Sequence, residues 1–90
     1  MIKSETVLLN EMFYQRLIIL DVYDSRDYSQ SCKLTDFDRA NTYDRVSMRL
    51  ANRLVKSGKL KVKNTSMCLD IFENTIYLPE HEKEIFNHET

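Results

Sequence analysis

The chain has 90 residues, of which 42% are hydrophobic and 30% are charged, and its formal charge at pH 7 is −1. This length predicts one small domain with a modest core, and the composition is that of a soluble globular protein rather than a disordered one. The single glycine and the single proline disfavour a turn-rich all-β fold.

Compartment and membrane expectations follow from the same totals. No secretory signal pattern is visible, and the longest aliphatic run, LIIL at 17–20, is far shorter than the roughly 20 residues of a membrane span. Cys32 and Cys68 are too few for a disulfide framework, so we expect free thiols in a reducing compartment. The sequence therefore predicts a soluble, cytoplasmic protein with no membrane partner.

The charges are distributed unevenly along the chain. Residues 1–44 carry five cations and eight acids, residues 45–63 carry seven cations and no acid, and residues 64–90 carry one cation and six acids. A basic band with more than half of the 13 Lys and Arg residues therefore lies between two acidic flanks.

The first predicted element is a long helix over residues 5–23. Ser4 is a suitable N-cap, and Glu5 lies in the first turn, where the helix dipole favours an acid. More than one face of this helix is apolar, through Val7, Leu8, Leu9, Met12, Phe13, Leu17, Ile18, Ile19, Leu20 and Val22. A helix of this kind must be buried on more than one side. The pattern predicts a homodimer through this helix, and the alternative is complete coverage by later elements of the same chain.

Two helices joined by a tight turn are predicted next. A polar connection over residues 23–33 leads to a short helix, for which Thr35 is the N-cap and Asp38 comes close to completing a capping box. Asn41 and Thr42 interrupt this helix, because either side chain can cap the next helix through its free backbone N–H groups.

The second of these helices, over residues 42–57, has an apolar face and a basic face. At about 100° per residue, the apolar face consists of Tyr43, Val46, Leu50 and Leu54. The basic arc consists of Arg45, Arg49, Arg53 and Lys56, and Asn41, Met48 and Asn52 extend it away from the core. No acid lies three or four residues from any cation of this helix, so that their repulsion is not compensated locally. Gly58 follows at the position where a helix stop favours a left-handed residue.

A β-hairpin and a final helix complete the predicted domain. In KLKVKN, at 59–64, apolar residues alternate with lysines, which is the pattern of a half-buried strand. The strands MCLDIF and TIYLP are expected to be joined by a tight turn near Glu73 and Asn74. Pro79 then begins a short acidic helix over residues 79–88.

This order of elements, with the segment LTDFDRANTYDRVSMRLANRLVKSGKLKV at 34–62, resembles the winged helix-turn-helix family of nucleic-acid-binding domains. Its most specific part is RLVKSGKLKV, where the family has a helix-ending leucine, a glycine and an apolar strand, here Leu54, Gly58, Leu60 and Val62. The resemblance implies an α+β, mainly helical fold with three N-terminal helices. It also implies a helix-turn-helix at 35–57, a wing at 59–78 and a C-terminal helix at 79–88.

The resemblance further implies a function. It predicts sequence-specific binding of double-stranded DNA by a homodimeric transcriptional regulator, with helix 42–57 in the major groove. Bases would be read by Asn41, Arg45, Met48, Arg49 and Asn52, because Arg can fork to guanine and Asn to adenine. Phosphates would be contacted by Thr42, Arg53, Lys56, Lys59 and Lys61.

Two alternatives to DNA binding stay open at this point. The acidic flanks and the tip of the predicted wing, which is acidic through Asp70 and Glu73, are also consistent with an adaptor or inhibitor that uses the same fold to bind a protein. A cationic helix face can also simply be solvated and bind nothing.

The sequence does not predict an enzyme, a cofactor or a metal site. One glycine excludes a glycine-rich phosphate loop, and the serines, cysteines and histidines form no nucleophile signature. His81 and His88 are separated by roughly 10 Å of helix rise, which is too far for both to hold one ion easily.

Overall fold

The computed structural model describes residues 1–87, without the side chains of residues 66, 67 and 87. Its elements, in chain order, are helix α1 (Glu5–Tyr14), strands β1 (Leu17–Asp24), β2 (Ser29–Asp36) and β3 (Thr42–Arg45), helix α2 (Met48–Lys56), strands β4 (Lys61–Cys68) and β5 (Ile71–Tyr77), a 3₁₀ turn (Pro79–His81) and helix α3 (Glu82–Asn87). The strands of this part of the chain form one antiparallel sheet in the order β3-β2-β1-β5-β4. Helix α2 therefore connects one edge of the sheet to the other.

The predicted winged-helix fold is wrong. The resemblance implied a mainly helical domain with three N-terminal helices and a hairpin wing, whereas strands predominate in residues 1–87 and a sheet forms the centre. The reason lies in the apolar run at 17–20, which periodicity alone cannot assign to a buried helix or a buried strand. In the structure this run begins the central strand, and both of its faces are covered.

The predicted first helix is correct only in its first half. The hydroxyl of Ser4 accepts a hydrogen bond from the Val7 N–H at 3.4 Å, as expected of its N-cap. The helix ends at Tyr14, and Arg16 then adopts a left-handed conformation with φ 57°. Residues 17–23 continue as β1 rather than as helix, and Leu17, Ile18 and Ile19 are buried in the cores on the two faces of the sheet.

The predicted helix-turn-helix is also replaced by strands and a shorter helix. Thr35 is buried within β2 and caps no helix. Asn41 and Thr42 do not begin a helix either, because the chain first pairs with β2 as β3. The N-cap of α2 is Ser47, whose hydroxyl accepts from the Leu50 N–H at 3.4 Å.

The C-terminal third contains the expected kinds of element with a different turn. Gly58 ends α2 with φ 84°, as predicted. A hairpin of β4 and β5 follows, but its turn lies at residues 69–70, and Glu73 and Asn74 lie within β5. Pro79 begins the 3₁₀ turn that leads into α3, and the predicted end of this helix at residue 88 lies outside the described residues.

Two apolar clusters lie on opposite faces of the sheet. The larger one, between the sheet and helices α1 and α2, contains Leu8, Met12, Leu17, Ile19, Leu34, Leu50, Leu54 and Ile76. The smaller one lies beneath α3 and contains Ile18, Tyr77 and Ile85. Full burial of Leu50 and Leu54 contributes roughly 1.5–3 kcal/mol for each side chain. Helix α2 is therefore fixed with its leucine face on the sheet and its opposite face in solvent.

Candidate nucleic-acid interface

The solvent face of α2 carries three cations, Arg49, Arg53 and Lys56, which we call the cationic row. All three side chains are exposed, and so is Asn52, which lies on the same face. Spacings of three and four residues place these side chains above one another on a helix, opposite the buried Leu50 face. The helix Met48–Lys56 contains no acid, so that the cationic row has no counter-charge on its own element.

Among the described residues, the ion pairs involve cations elsewhere, and the cationic row has none. Within the described part of the chain, ion pairs take up the side chains of Arg16, Arg26, Arg39, Lys59 and Lys61. None of these pairs includes a residue of the cationic row. The local repulsion expected from the sequence therefore persists in the folded protein.

Glu5, an acid that interacts electrostatically with the cationic row, is already bound to another cation. Glu5 of α1 accepts a hydrogen bond from the Lys59 ammonium group, and this contact is the main cause of the lowered pKa of its carboxyl group. Arg53 contributes a smaller coulombic lowering of the same pKa. Glu5 thus offsets part of the charge of Arg53 while its carboxylate is bound to Lys59.

Arg45 was predicted to share the basic helix face, and this prediction is wrong. Arg45 ends β3, where it lies opposite Lys33 of β2. Val46 belongs to the cluster beneath α2, as do Cys32 and Leu34 on either side of Lys33. Because neighbouring residues of a strand point to opposite faces, Arg45 and Lys33 lie on the sheet face turned away from α2.

Arg45 and Lys33 form a second cationic feature, which we call the strand pair. Both side chains are exposed, and none of the ion pairs in residues 1–87 includes either of them. Like charges directly opposite one another in a sheet are destabilising. The strand pair therefore favours an anion from outside the chain, as the cationic row does.

The other predicted contact residues are dispersed. Asn41 lies before β3 and its amide donates to Asp36 at 3.0 Å, and Thr42 begins β3. Lys59 is bound to Glu5, and Lys61 of β4 lies 3.4 Å from Glu82. Met48 is the exposed first residue of α2 and lies one turn before Asn52 on the same side of the helix. Of the ten predicted residues, the structure thus gathers five on the exposed side of α2: Met48, Arg49, Asn52, Arg53 and Lys56.

Comparison with protein-family models, curated proteins and solved structures gives no significant match. The function is therefore inferred from the residues and their geometry.

Residues 1–87 contain neither a metal-binding cluster nor a membrane-spanning helix. No group of three or more His, Cys, Asp or Glu side chains there is arranged to hold a metal ion. His81 is buried between Phe13 and Phe37, and His88 lies outside the described residues. None of the helices in this range has the length and hydropathy of a bilayer span.

Sequence reasoning missed two exposed residues near the candidate interface. Lys33 was assigned to a polar connection, although the alternation of Ser31, Cys32, Lys33 and Leu34 already fits a strand with the lysine outward. Tyr43 was assigned to the apolar helix face, but it lies in β3 and is 52% exposed. No pattern in the sequence distinguishes Tyr43 from a core residue, because its position depends on where β3 gives way to α2.

Proposed function

We propose that the protein binds double-stranded DNA through the cationic row, with the side chains contacting phosphate oxygens. The observation that carries this proposal is a helix face with three exposed cations, none of which forms an ion pair within residues 1–87, in a chain whose net charge is slightly negative. A polyanion that meets such a face releases condensed counterions, which favours binding.

The dimensions of the cationic row fit one DNA strand. Arg49 and Lys56 are seven residues apart, which is roughly 10 Å along the helix axis. One strand of B-DNA presents a phosphate about every 3.4 Å of its axis, so that about three phosphates fall within this length. Three cations therefore meet a matching number of anions when α2 lies along the strand.

Base reading has less support than phosphate contact. Five residues were predicted to read bases as one set, and three of them, Met48, Arg49 and Asn52, lie on the exposed side of α2. Asn41 and Arg45 lie in or next to β3, away from the solvent face of α2. We therefore propose that phosphate contacts supply most of the affinity, and sequence-specific recognition and a role in transcription remain predictions.

The test is a comparison of the wild-type chain with a variant that carries Arg49→Gln, Arg53→Gln and Lys56→Gln. Glutamine keeps helix propensity and length but removes charge. We expect the triple variant to bind a 20-base-pair duplex at least about tenfold more weakly at low salt, measured by fluorescence anisotropy. Undiminished affinity in the triple variant would contradict the proposal.

The predicted homodimer through the first helix also remains a proposal. Within α1 the exposed apolar side chains are Val7, Phe13 and Tyr14, and these would form the contact. Sedimentation velocity of wild type and a Phe13→Ser, Tyr14→Ser variant tests it: the proposal expects a dimer that the variant lacks. A wild-type chain that sediments as a monomer at micromolar concentration would contradict it.

A second candidate, binding to a protein partner, is favoured by one observation at the hairpin end of the sheet. Leu69 and Tyr28 are 90% and 81% exposed in neighbouring turns. Ser25 joins these turns, because its N–H and its hydroxyl both donate to the Asp70 carbonyl oxygen, at 2.9 Å and 3.2 Å. Exposed apolar side chains on a fixed turn are typical of protein interfaces. A stoichiometric protein that binds wild type but not a Leu69→Ser variant, without duplex binding, would support this candidate over the first.

A further inference from the structure

A cavity lies where β3 ends and α2 begins. Its volume is about 250 Å³, and Arg45 and Arg49 both line it. Val46, Met48 and Cys32 provide apolar parts of the lining, and none of the described residues that line it is acidic. Pockets for drug-sized ligands measure roughly 300–1,000 Å³, so that this cavity suits a fragment the size of one nucleobase.

A β-bulge in β3 contains an exposed tyrosine, Tyr43, two residues before Arg45, which lines this cavity. Thr42 lies opposite Thr35, and Asp44 lies opposite Leu34, so that Tyr43 is an extra residue without a partner in β2. Bulges re-aim side chains and are frequent near functional sites. Tyr43 is half-exposed and lies two strand positions, or roughly 7 Å, from Arg45.

We infer that the junction of β3 and α2 binds a single-stranded extension of the DNA duplex held by the cationic row. One unpaired base stacks on Tyr43, and the next enters the cavity, where Arg49 from the α2 side and Arg45 from the end of the edge strand β3 provide positive charge for the neighbouring phosphates. This inference rests on the proposed function, since Arg49 belongs to both the cavity and the cationic row.

The occupant must be unpaired for a geometric reason. Bases inside a duplex are stacked on both faces, and an aromatic side chain can reach a base face only where pairing has ended. Stacking on an aromatic side chain is tolerant of sequence and is lost when the ring is removed. The junction therefore distinguishes DNA structure rather than DNA sequence.

The experiment compares two DNA ligands with three proteins. The ligands are a blunt 20-base-pair duplex and the same duplex with a four-nucleotide single-stranded extension, and the proteins are wild type, Tyr43→Phe and Tyr43→Ala. We expect the extension to raise the affinity of wild type and Tyr43→Phe by about tenfold. Tyr43→Ala should bind both ligands with the affinity that wild type has for the blunt duplex. An extension that gives no gain in wild type, or an equal gain in Tyr43→Ala, would overturn the inference.

A fluorescent reporter separates this inference from the proposed function. The chain contains no tryptophan, so that a Tyr43→Trp variant has one emitting indole at the junction. We expect the indole fluorescence to be quenched by a free four-nucleotide single strand at high concentration and by the extended duplex. The blunt duplex should leave the fluorescence unchanged. Quenching by the single strand without any duplex binding would sustain the junction site and refute the proposed role of the cationic row. Duplex binding without quenching by the single strand or by the extended duplex would refute the junction site and sustain the proposed role of the cationic row.

Discussion

Removing one charge from the cationic row should change the salt dependence of DNA binding by a calculable amount. Each phosphate neutralised contributes about −0.9 to the slope of log K against log salt concentration for duplex DNA. With Arg49, Arg53 and Lys56 each on one phosphate, the wild-type slope is about −2.7, which is roughly a 40-fold loss of affinity between 50 and 200 mM salt. A Lys56→Gln variant should have a slope of about −1.8 and lose roughly 12-fold over the same range.

The matched control is Lys83→Gln. Lys83 is also an exposed lysine on a helix, and none of the ion pairs in the described part of the chain includes it. It lies on α3, across the sheet from α2. Both variants change the net charge equally, so that a general effect of charge predicts equal slopes and a phosphate contact at Lys56 predicts different ones.

Fluorescence anisotropy with a labelled duplex at four or more salt concentrations gives these slopes. The thermal midpoint of each variant is measured in parallel, because loss of a cation from the last turn of α2 weakens a favourable dipole interaction, while relief of repulsion along the helix face acts in the opposite sense. We expect these effects to leave a net change in stability below about 1 kcal/mol. A wild-type slope near zero, or equal slopes for Lys56→Gln and Lys83→Gln, would refute the assignment of the cationic row to phosphate contact.

Three further predictions concern stability, each measured by urea unfolding. Burial, assisted by the positive charge of Arg16, lowers the pKa of His81 below its ordinary value of 6.5, so that the folded protein binds fewer protons than the unfolded chain. Stability should therefore fall as pH decreases from about 6.5 through the folded pKa, and His81→Gln should reduce this dependence. Gly58→Ala should cost about 1 kcal/mol, because an added Cβ meets no atom within 4 Å and the penalty comes from the left-handed backbone alone; Gly58→Asn should cost less. Arg39→Ala should lower the free energy of unfolding by about 2 kcal/mol, because it removes the guanidinium group 3.7 Å from the buried carboxylate of Glu73. Glu73→Gln should lower it by less, because the arginine that loses its partner is partly exposed to solvent.

Local signals in the sequence were sufficient where one residue decides the backbone. Ser4 caps α1 and Gly58 ends α2, because a hydroxyl at an N-cap and a glycine at a helix stop act through their immediate neighbours. Pro79 begins the C-terminal helical segment for the same kind of reason. These positions need no information about the rest of the fold.

The central strand shows why the overall fold could not be predicted. LIIL at 17–20 is apolar at every position, so that neither the period of a helix nor that of a strand is visible. Its assignment depends on β2 and β5, which pair with it from residues 29–36 and 71–77. Placing β1 in a helix removes the centre of the sheet from the prediction, so that β2 and β5 have no partner strand and the antiparallel sheet cannot be recognised.

The start of α2 accounts for the errors in the predicted site. The periods of the predicted helix 42–57 and of the observed helix agree from Met48 onward, and the residues of the cationic row were therefore placed correctly on its outward face. Before Ser47 the chain is extended, where side chains alternate at every second residue. Arg45 consequently lies with Lys33 on the opposite face of the sheet, and Tyr43 leaves the core.

The cationic row survives the loss of the winged-helix fold because it is a property of one helix. Spacings of three and four residues and a buried leucine face suffice to turn Arg49, Arg53 and Lys56 outward, whichever sheet or helix lies beneath. What the fold would have added is a second helix to set the angle of entry into the major groove. Without that helix, α2 lies flat on a sheet, and Asn52 provides one amide among its cations. A helix in this position meets the phosphate backbone before it meets base edges. A duplex selection from random sequence should therefore recover little consensus, and any selectivity should come from DNA structure at the junction of β3 and α2.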